Sequence, residues 1–515
     1  MVELITRDVK QNIEKAQEIQ QVTFDDDYVI KDNKPDVQKI ICQTGMVKTD
    51  DIKQTGETIW VTGNIEFEVL YKSDDEGEKV ETIKDLIPFQ EKITLDGVEN
   101  SDNIRVYAKI NDLSAGIINS RKISVRGLID LEVYVETEGV TAISQRVDSS
   151  DIQQMSEDVP MLELKGDIRD VIRVHSQIQL PKTKPNIWKI LCSFIDIRNM
   201  EYGYENNHIT ISAELHACIL YLSEEQEICF QEKVENITNQ INCDNADESC
   251  IVWIRAQTVM QQVQVENDYD GEMRQVDIEA ALSVDGKVWQ QQMITVLRDM
   301  YSIKGNVRPC YETVKKTRLL MKNETKCRVM EQFYRDANAD RILRTCGNKC
   351  IVQVEQIKNC DNGIIVSGYL VIRSINVVEN DTCPIQMQTD TAAFEQFVEI
   401  PGIDANTYRE IYARADQVQI NFMDNSEYEV KATLSINVLA LVQEDMEVIT
   451  QVEQFAGQDE GEQRAGLTGY IVRKDEKLWN IAKNYHTTVE NIMKINDLSS
   501  DQVKENDRLI IARLS

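Results

Sequence analysis

Apolar and polar residues alternate along much of this chain with a period of two. In one stretch, Ile65, Phe67 and Val69 are each separated by a polar residue. Successive side chains of a β-strand point to opposite faces, so this period predicts half-buried strands. The same alternation is found in residues 123–135, 209–221 and 429–441. Together these stretches predict antiparallel sheets with one solvated face, in a sandwich or a related all-β arrangement.

Short polar clusters separate the alternating stretches. They are rich in Asn, Asp, Ser and Gly, the residues that tight turns favour. The clusters lie at residues 73–77, 206–207, 267–271 and 361–363. They predict hairpin connections between consecutive strands.

The alternating stretches belong to an internal repeat. At a shift of 150 residues, Lys34–Cys42 lies over Lys184–Cys192, and five of the nine residues are identical. Further along, Phe89–Lys92 matches Phe230–Lys233, both reading Phe-Gln-Glu-Lys. A fixed period of this size is typical of a repeated structural unit.

A third, weaker copy begins near Asp340. Its segment Val366–Gly368 resembles Val61–Gly63, and Phe394–Phe397 resembles the Phe-Gln-Glu-Lys motif. The chain therefore contains three related β-rich units.

Helical spacing is found at two places. After the first Lys-Pro dipeptide, Val37, Ile40 and Ile41 lie on one helical face, which predicts a short helix there. Near the end of the chain, residues 477–485 and 488–496 both show helical periodicity, and Thr487 or Thr488 fits the N-cap of the second helix. Short strands at 470–473 and 508–512 flank this pair, so the tail has the order strand, helix, helix, strand.

These patterns divide the chain into six parts. A polar, Gly-rich stretch over residues 454–469 predicts a flexible linker before the tail. The predicted parts are a lead segment (1–27), three β-rich repeats (28–150, 151–300 and 301–453), the linker (454–469) and a small α+β tail domain (470–515).

Charge and composition exclude several classes of function. The chain of 515 residues carries a formal net charge of −32, and a field of that sign repels nucleic acid. No signal-peptide pattern and no long apolar stretch is present, so we expect a cytoplasmic protein without direct membrane insertion. From Tyr470 to Ser515, eight Lys/Arg face seven Asp/Glu, so this near-neutral tail follows a body of about −33.

No pattern of catalytic or cofactor-binding residues is present. Phosphate-binding Gly-rich loops, nucleophile elbows and zinc-protease helices are all missing. Twelve cysteines are scattered beside apolar residues, which is typical of buried free thiols. Cys346 and Cys350 form the one metal-like spacing, and without a second pair it is weak. We therefore expect no enzyme activity, no metal and no cofactor.

The tail resembles the LysM family. LysM is a βααβ domain, and the matches are core positions that predict the fold and not the ligand. They are Tyr470, Val472, Leu478, Ile481, Ala482, Tyr485, Thr488, Val489, Asn496, Leu498, Leu509 and Ile511.

The resemblance implies a groove for N-acetylglucosamine polymers between two loops. In this chain the groove would be formed by Asp475, Glu476, Lys477, Asn496, Asp497 and Leu498. The family usually has glycine where this chain has Asp475 and Asn506. Glycine permits a close approach of the backbone, so these departures favour a protein partner over a sugar.

Five residues are the candidates for binding that partner. Trp479 lies on the first helix between core positions, so we expect an indole that is at least partly exposed beside cations, a typical interface anchor. The set is Trp479, Lys477, Lys474, Asn480 and Lys483. We expect Trp479→Ala to weaken recruitment of the partner without unfolding the domain.

The complete order of domains resembles the SipL-like spore-coat morphogenetic proteins of clostridia, in which SPOCS domains precede a LysM domain. The resemblance implies a non-enzymatic scaffold in the mother-cell cytoplasm, at the forespore surface. Its LysM domain would bind stage IV sporulation protein A, the coat-basement ATPase, and its repeats would bind other coat proteins. The alternative is a peptidoglycan-binding protein of the spore cortex.

Overall fold

Strands dominate the computed structural model, which contains 77% strand and 3% helix. It describes residues 3–73, 80–205, 207–243, 247–336, 338–380, 382–423, 426–455 and 466–512. The prediction of a mainly β protein ending in a small α+β domain is confirmed. Of the predicted turns, most of 73–77 and residue 206 lie outside the described residues, whereas the other two clusters connect hairpins.

Among the residues that the structure describes, eighteen strands precede the tail, six in each unit. Unit 1 contains β1 (Leu4–Val29), β2 (Val37–Thr55), β3 (Thr58–Ser73), β4 (Val80–Thr94), β5 (Asn103–Asn119) and β6 (Lys122–Val147). Unit 2 contains β7 (Ile152–Gln179), β8 (Ile187–Glu205), β9 (His208–Ser223), β10 (Ile228–Asn242), β11 (Ile251–Asn267) and β12 (Met273–Ser302). Unit 3 contains β13 (Asn306–Tyr334), β14 (Ile342–Cys360), β15 (Gly363–Val378), β16 (Ile385–Glu399), β17 (Tyr408–Phe422) and β18 (Glu427–Phe455).

Each unit consists of two three-stranded antiparallel sheets with the same topology. In unit 1 one sheet has the order β1-β6-β5 and the other has the order β2-β3-β4. Units 2 and 3 repeat this arrangement strand for strand. The apolar faces of the two sheets enclose a separate core in each unit.

The segment predicted as a lead sequence is an integral strand of unit 1. β1 pairs with β6 along its length, from Leu4 opposite Val147 to Val29 opposite Lys122. β7 and β13 occupy the same position in units 2 and 3. The strand pattern therefore divides the repeats at residues 148–151 and 303–305.

The predicted helix after the first Lys-Pro dipeptide is wrong, because β2 occupies these residues. A β-bulge between Ile40 and Cys42 shifts the register of β2 against β3. One extra residue interrupts the alternation, and apolar residues then fall at helical spacing within a strand. The Lys-Pro corner itself is held by Tyr71, whose hydroxyl donates to Pro35 O at 2.9 Å. Tyr221 bonds Pro185 O in unit 2 at 3.3 Å, which explains why both motifs recur.

One of the sequence matches is not a structural equivalence. Phe89 lies opposite Gly63 and Phe394 lies opposite Gly368, so these two pairs correspond. Phe230, in contrast, lies opposite Leu220, at the position that Thr82 occupies opposite Leu70 in unit 1. The shared Phe-Gln-Glu-Lys string therefore sits at different places in units 1 and 2.

The three units pack into a closed ring. The fourth strand of each unit contacts the second strand of the next, in the pairs β4 with β8, β10 with β14 and β16 with β2. The last of these contacts returns to unit 1. At the centre, one apolar cluster draws residues from all three units: Val9, Ile143, Val159, Met161, Ile294, Val296, Met446 and Val448.

Charged groups are also buried where the units meet. The Arg255 guanidinium of unit 2 lies 2.7 Å from the Glu132 carboxylate of unit 1 and 3.6 Å from the Glu410 carboxylate of unit 3. The ring of Tyr107 stacks against it, with the guanidinium carbon 3.9 Å from the ring centroid. Desolvating a charge costs several kcal/mol, so such a cation is stable only with several partners. Burial of the charged Arg255 side chain therefore requires that all three units are folded and in contact.

Glycine is required where strands cross closely. A Cβ added to Gly63 would lie 2.2 Å from Lys48 O and 2.7 Å from the Phe89 ring. We expect Gly63→Ala to lower the free energy of unfolding by about 1–3 kcal/mol, because the backbone must shift. Gly139→Ala is the matched control, since nothing lies within 4 Å of its Cβ position. Denaturant titration measures both; equal midpoints for the two variants would contradict this packing.

The Glu14 carboxyl makes stability depend on pH. Burial, with Glu136 and Glu410 nearby, raises its pKa to about 8. The stability that depends on its protonated form is complete below the unfolded pKa of about 4.3, and is lost as pH rises towards 8. We therefore expect the free energy of unfolding of Glu14→Gln to increase by about 3–4 kcal/mol relative to that of the parent protein between pH 5 and pH 8.

Urea titrations at the two pH values test this expectation. Glu18→Gln is the control, because Glu18 lies exposed on the same strand. If Glu14→Gln and the parent protein show the same pH dependence, the carboxyl is not protonated in the folded state.

Candidate functional site: the C-terminal domain and its docking surface

The tail folds in the predicted order strand, helix, helix, strand. Its elements are β19 (Leu467–Ile471), α1 (Leu478–Asn484), α2 (Val489–Ile495) and β20 (Arg508–Ala512). β19 begins three residues before the predicted strand. Of the predicted linker, residues 456–465 lie outside the described part of the chain.

A small apolar core holds these elements together. Leu478, Ile481 and Ala482 of α1 pack with Ile492 of α2 against the inward residues of the two strands. Thr488 is the N-cap of α2, because its Oγ1 accepts a hydrogen bond from Asn491 N at 3.0 Å.

Thr487 has a different task from Thr488. Its hydroxyl donates to Ala512 O at 2.8 Å, so it joins the turn between the helices to β20. Asn491 Nδ2 donates to the same carbonyl at 3.1 Å. The domain is thus closed by side-chain bonds as well as by its core.

The helix α1 docks on unit 2 through Asp299, near the end of β12. The indole Nε1 of Trp479 donates to Asp299 Oδ2 at 2.8 Å. The Lys483 ammonium donates to Asp299 Oδ1 at 2.6 Å. Charge-assisted hydrogen bonds of this kind are about twice as strong as neutral ones, so Asp299 is the centre of the contact.

Tyr301 extends the docking contact into the core of the tail. Its hydroxyl donates to Thr487 O at 2.8 Å, and its ring meets Trp479 edge to face at 4.9 Å. Burial raises the pKa of Tyr301 to about 12, which keeps the hydroxyl protonated as a donor. His486 Nδ1 lies 3.0 Å from Ser302 O. Four residues of α1 and the turn after it, Trp479, Lys483, His486 and Thr487, are therefore fixed to the ring.

The structure separates the five predicted partner contacts into two groups. Trp479 and Lys483 are half-buried against Asp299, whereas Lys474, Lys477 and Asn480 are exposed. The indole, which we expected to be at least partly exposed, is half-buried and its Nε1 donates to Asp299 of the same chain. A role of Trp479 in partner binding stays a prediction, and it would require this contact to open.

The first loop of the predicted glycan groove is tied to its own strand. Both carboxylate oxygens of Glu476 lie 2.8 Å from the Tyr470 hydroxyl, and Oε2 also accepts from Arg473 N at 3.1 Å. Asp475 adopts the left-handed conformation, with φ +60°, where the family has glycine. That conformation costs a non-glycine residue about 1–2 kcal/mol. The first loop therefore carries the Asp475 side chain at the position where a glycine would let a ligand approach the backbone closely.

The second loop is tied in the same way. Asn496 Nδ2 donates to Ile510 O, and Ile510 N donates to Asn496 Oδ1, both at 2.7 Å. Leu498 is half-buried and packs on the tail core. Asn506 has φ +70°, which asparagine tolerates better than most residues. Of the six groove residues, Asp475, Lys477 and Asp497 present exposed side chains.

An apolar surface that sequence reasoning missed lies on the outer face of the two-stranded sheet. Leu467, Ile471 and Ile510 are 65%, 59% and 51% exposed. Gly469 lies opposite Ile510, so the backbone between Leu467 and Ile471 carries no side chain at this position of the face. We call these residues the outer apolar face. The alternation of Leu467, Gly469 and Ile471 with the half-buried Tyr470 could have predicted this face. It did not, because residues 454–469 were assigned to the linker.

The metal-like cysteine spacing does not form a site. Cys346 packs in a cluster shared by the three units, whereas Cys350 packs on the core of unit 3. Burial raises the pKa of Cys346 to about 11, which disfavours the thiolate that a metal requires. Over the residues that the structure covers, no group of three or more His, Cys, Asp and Glu could hold a metal ion.

Removing the Asp299 carboxylate should release the tail domain from the ring. We expect Asp299→Ala to increase hydrogen exchange of residues 478–487 at least tenfold, because Trp479 and Lys483 lose their acceptor. Glu157→Ala is the control, since Glu157 pairs with the adjacent Arg298 at 2.9 Å and lies on the surface. Unchanged exchange in Asp299→Ala would show that the docking does not depend on this carboxylate.

Comparison with known families gives two matches. The model of the SipL, SPOCS domain matches residues 36–118, and the LysM domain model matches residues 470–512. The first match spans β2 to β5 of unit 1, and units 2 and 3 share the topology of that unit. No curated protein and no solved structure matches the chain.

Both matches are to non-catalytic domain families, which agrees with a protein that is not an enzyme. They indicate a protein related to sporulation or the spore coat, with a domain of the peptidoglycan-binding type. Neither helix of the described chain has the length and hydrophobicity needed to span a bilayer. The chain thus carries a SPOCS domain of the SipL type over residues 36–118 and a LysM domain over residues 470–512, the two domains that its resemblance to SipL-like proteins predicts.

Proposed function

We propose that this protein is a non-enzymatic scaffold of the spore coat. Its LysM domain binds stage IV sporulation protein A, the coat-basement ATPase, and tethers coat layers to the forespore surface in the mother-cell cytoplasm. The three-unit ring supplies surfaces for other coat proteins. One observation carries the proposal: the LysM domain presents an apolar face outward while side chains of its sugar groove bond within the domain.

The outer apolar face has the properties of a protein contact. Three large aliphatic side chains lie together and more than half exposed on a sheet of only two strands. A contiguous exposed apolar surface is typical of an interaction site. The exposed cations Arg473 and Arg508 border the face, so we expect the partner surface to be apolar with acidic groups at its rim.

The docking on unit 2 supports the same function. A domain fixed by Asp299 and Tyr301 loses little further rotational freedom when a partner binds its outer face. The long paired strands of the ring provide a rigid base for this presentation.

Binding of peptidoglycan in the spore cortex is the second candidate function. The LysM match favours it, since LysM domains usually bind N-acetylglucosamine polymers. Against it, Glu476 and Asn496 already bond to the backbone or side chains of their own domain. The exposed Asp475, Lys477 and Asp497 are the groove residues left to contact a sugar.

A charge placed on the outer apolar face should abolish recruitment of the ATPase. We expect Ile510→Glu in the full chain to weaken co-purification with the ATPase at least tenfold, because a carboxylate would be desolvated in the contact. Gln502→Glu is the matched control, because it adds the same charge at an exposed loop position without removing an apolar side chain.

Retention on insoluble peptidoglycan, measured on the same proteins, separates the two functions. Retention of the parent chain on peptidoglycan with no binding to the ATPase would overturn the scaffold proposal. If Ile510→Glu binds the ATPase normally while Trp479→Ala does not, the partner uses the α1 surface and the docking must open.

A further inference from the structure

Cys42 and Cys192 occupy equivalent positions in units 1 and 2. Each follows the β-bulge of its strand, and they lie opposite Leu70 and Leu220 respectively. Both side chains are buried, with 2% and 1% exposed, in the cluster where the second strands of the three units meet. The thiols are close enough to share a hydrogen bond.

The equivalent position in unit 3 shows how closely the strands converge. Gly347 stands there, opposite Ile375. A Cβ added to Gly347 would lie 2.9 Å from both the Cβ and the Sγ of Cys218. Gly347 thus leaves room for Cys218 of unit 2, whereas the equivalent positions of units 1 and 2 carry Cys42 and Cys192. The pair therefore results from the repeated motif, since Lys34–Cys42 matches Lys184–Cys192, and from the ring that brings its two copies together.

The surroundings of the pair keep it reduced and slow to react. The hydrogen bond with Cys42 and burial raise the pKa of Cys192 well above its usual value. The thiolate is the reactive form, so neither thiol reacts readily while the junction is closed. A small neutral oxidant reaches the pair only when the junction opens for a moment.

We propose that Cys42 and Cys192 form an oxidation site, at which a disulfide joins β2 of unit 1 to β8 of unit 2. The oxidant is a hydroperoxide such as hydrogen peroxide. One thiol, after losing its proton, attacks the O–O bond and becomes a sulfenic acid, and the departing hydroxide takes up that proton to form water. The second thiol displaces hydroxide from the sulfenic acid, which forms the S–S bond and a second water. Two thiols and one peroxide thus give one disulfide and two waters.

The disulfide would close a loop of roughly 150 residues, and long loops give large reductions in the entropy of the unfolded chain. It would also fix the contact between units 1 and 2 covalently. Since the bond would be buried, reductants in solution would reach it slowly. The site thus converts a ring held by packing into one that resists unfolding after oxidative exposure.

Peptide mapping of the full chain tests this proposal. The protein is exposed to hydrogen peroxide, alkylated and digested with trypsin without reduction. The expected product joins peptide 40–48 to peptide 190–198, and the melting temperature rises by about 5 °C. Both effects should disappear in Cys42→Ala and in Cys192→Ala. They should persist in Cys327→Ala, which removes a thiol buried in the core of unit 3.

The mapping is decisive even if a variant fails to fold, because the linked peptide is sought in the parent protein. Full alkylation of both cysteines after prolonged oxidation would overturn the proposal. Linkage of Cys192 to Cys218, the other cysteine of unit 2 in this cluster, would overturn it as well.

Discussion

The long pairing of the first strand with the sixth strand in each unit determines the architecture of this protein. Because β1 and β6 run antiparallel over their whole lengths, each unit ends beside the place where it began. A short connection then starts the next unit, and the first and sixth strands of all three units meet in one central apolar cluster. The same constraint positions the LysM domain. Phe455, the last residue of β18, pairs with Asn306, which lies close in sequence to Ser302 and the docking site.

Cations lie at the seams between the units of a body that carries about −33 charges. Mutual repulsion of acidic units opposes the compact ring. At several seams a cation of one unit meets a carboxylate of another, as Arg105 meets Asp167 and Lys189 meets Glu81. The LysM domain follows the same rule with Lys483 and Asp299. When the units separate, water hydrates each of these charged groups again. The free energy gained by pairing them in the ring is therefore small, and their main effect is to specify which surfaces meet.

Local patterns predicted what depends on local sequence. The alternation around Ile65 predicted a strand, and the helical spacing around Ile481 and Ile492 predicted the LysM helices, because each pattern reports one face of one element. The same reasoning failed at Ile40 and Ile41, where a bulge imitates helical spacing. The predicted equivalence of Phe89 and Phe230 was also wrong, because identical residues do not determine the strand register.

Contacts between units and domains were beyond prediction for a different reason. Trp479 reads as exposed when α1 is considered alone, and only the position of Asp299, some 180 residues earlier, shows that it is covered. The closeness of Cys42 and Cys192 likewise depends on the closure of the ring, which brings equivalent positions of two units together. Groove residues such as Asn496 could be placed in the right loop from the resemblance to LysM. Their hydrogen bonds could not be predicted, because these depend on the final position of β20.

The docking of the LysM domain covers its helix surface and leaves its outer apolar face open. In a freely tethered LysM domain, the helix surface, the sugar loops and the sheet face are all open to a ligand. Here Asp299 and Tyr301 cover the helix surface, and Glu476 and Asn496 use their polar groups within the domain. The outer apolar face is the large apolar surface that these contacts leave open. A domain of the peptidoglycan-binding type is therefore held by its own ring so that aliphatic side chains remain exposed on its sheet, and a contiguous exposed apolar surface is typical of an interaction site.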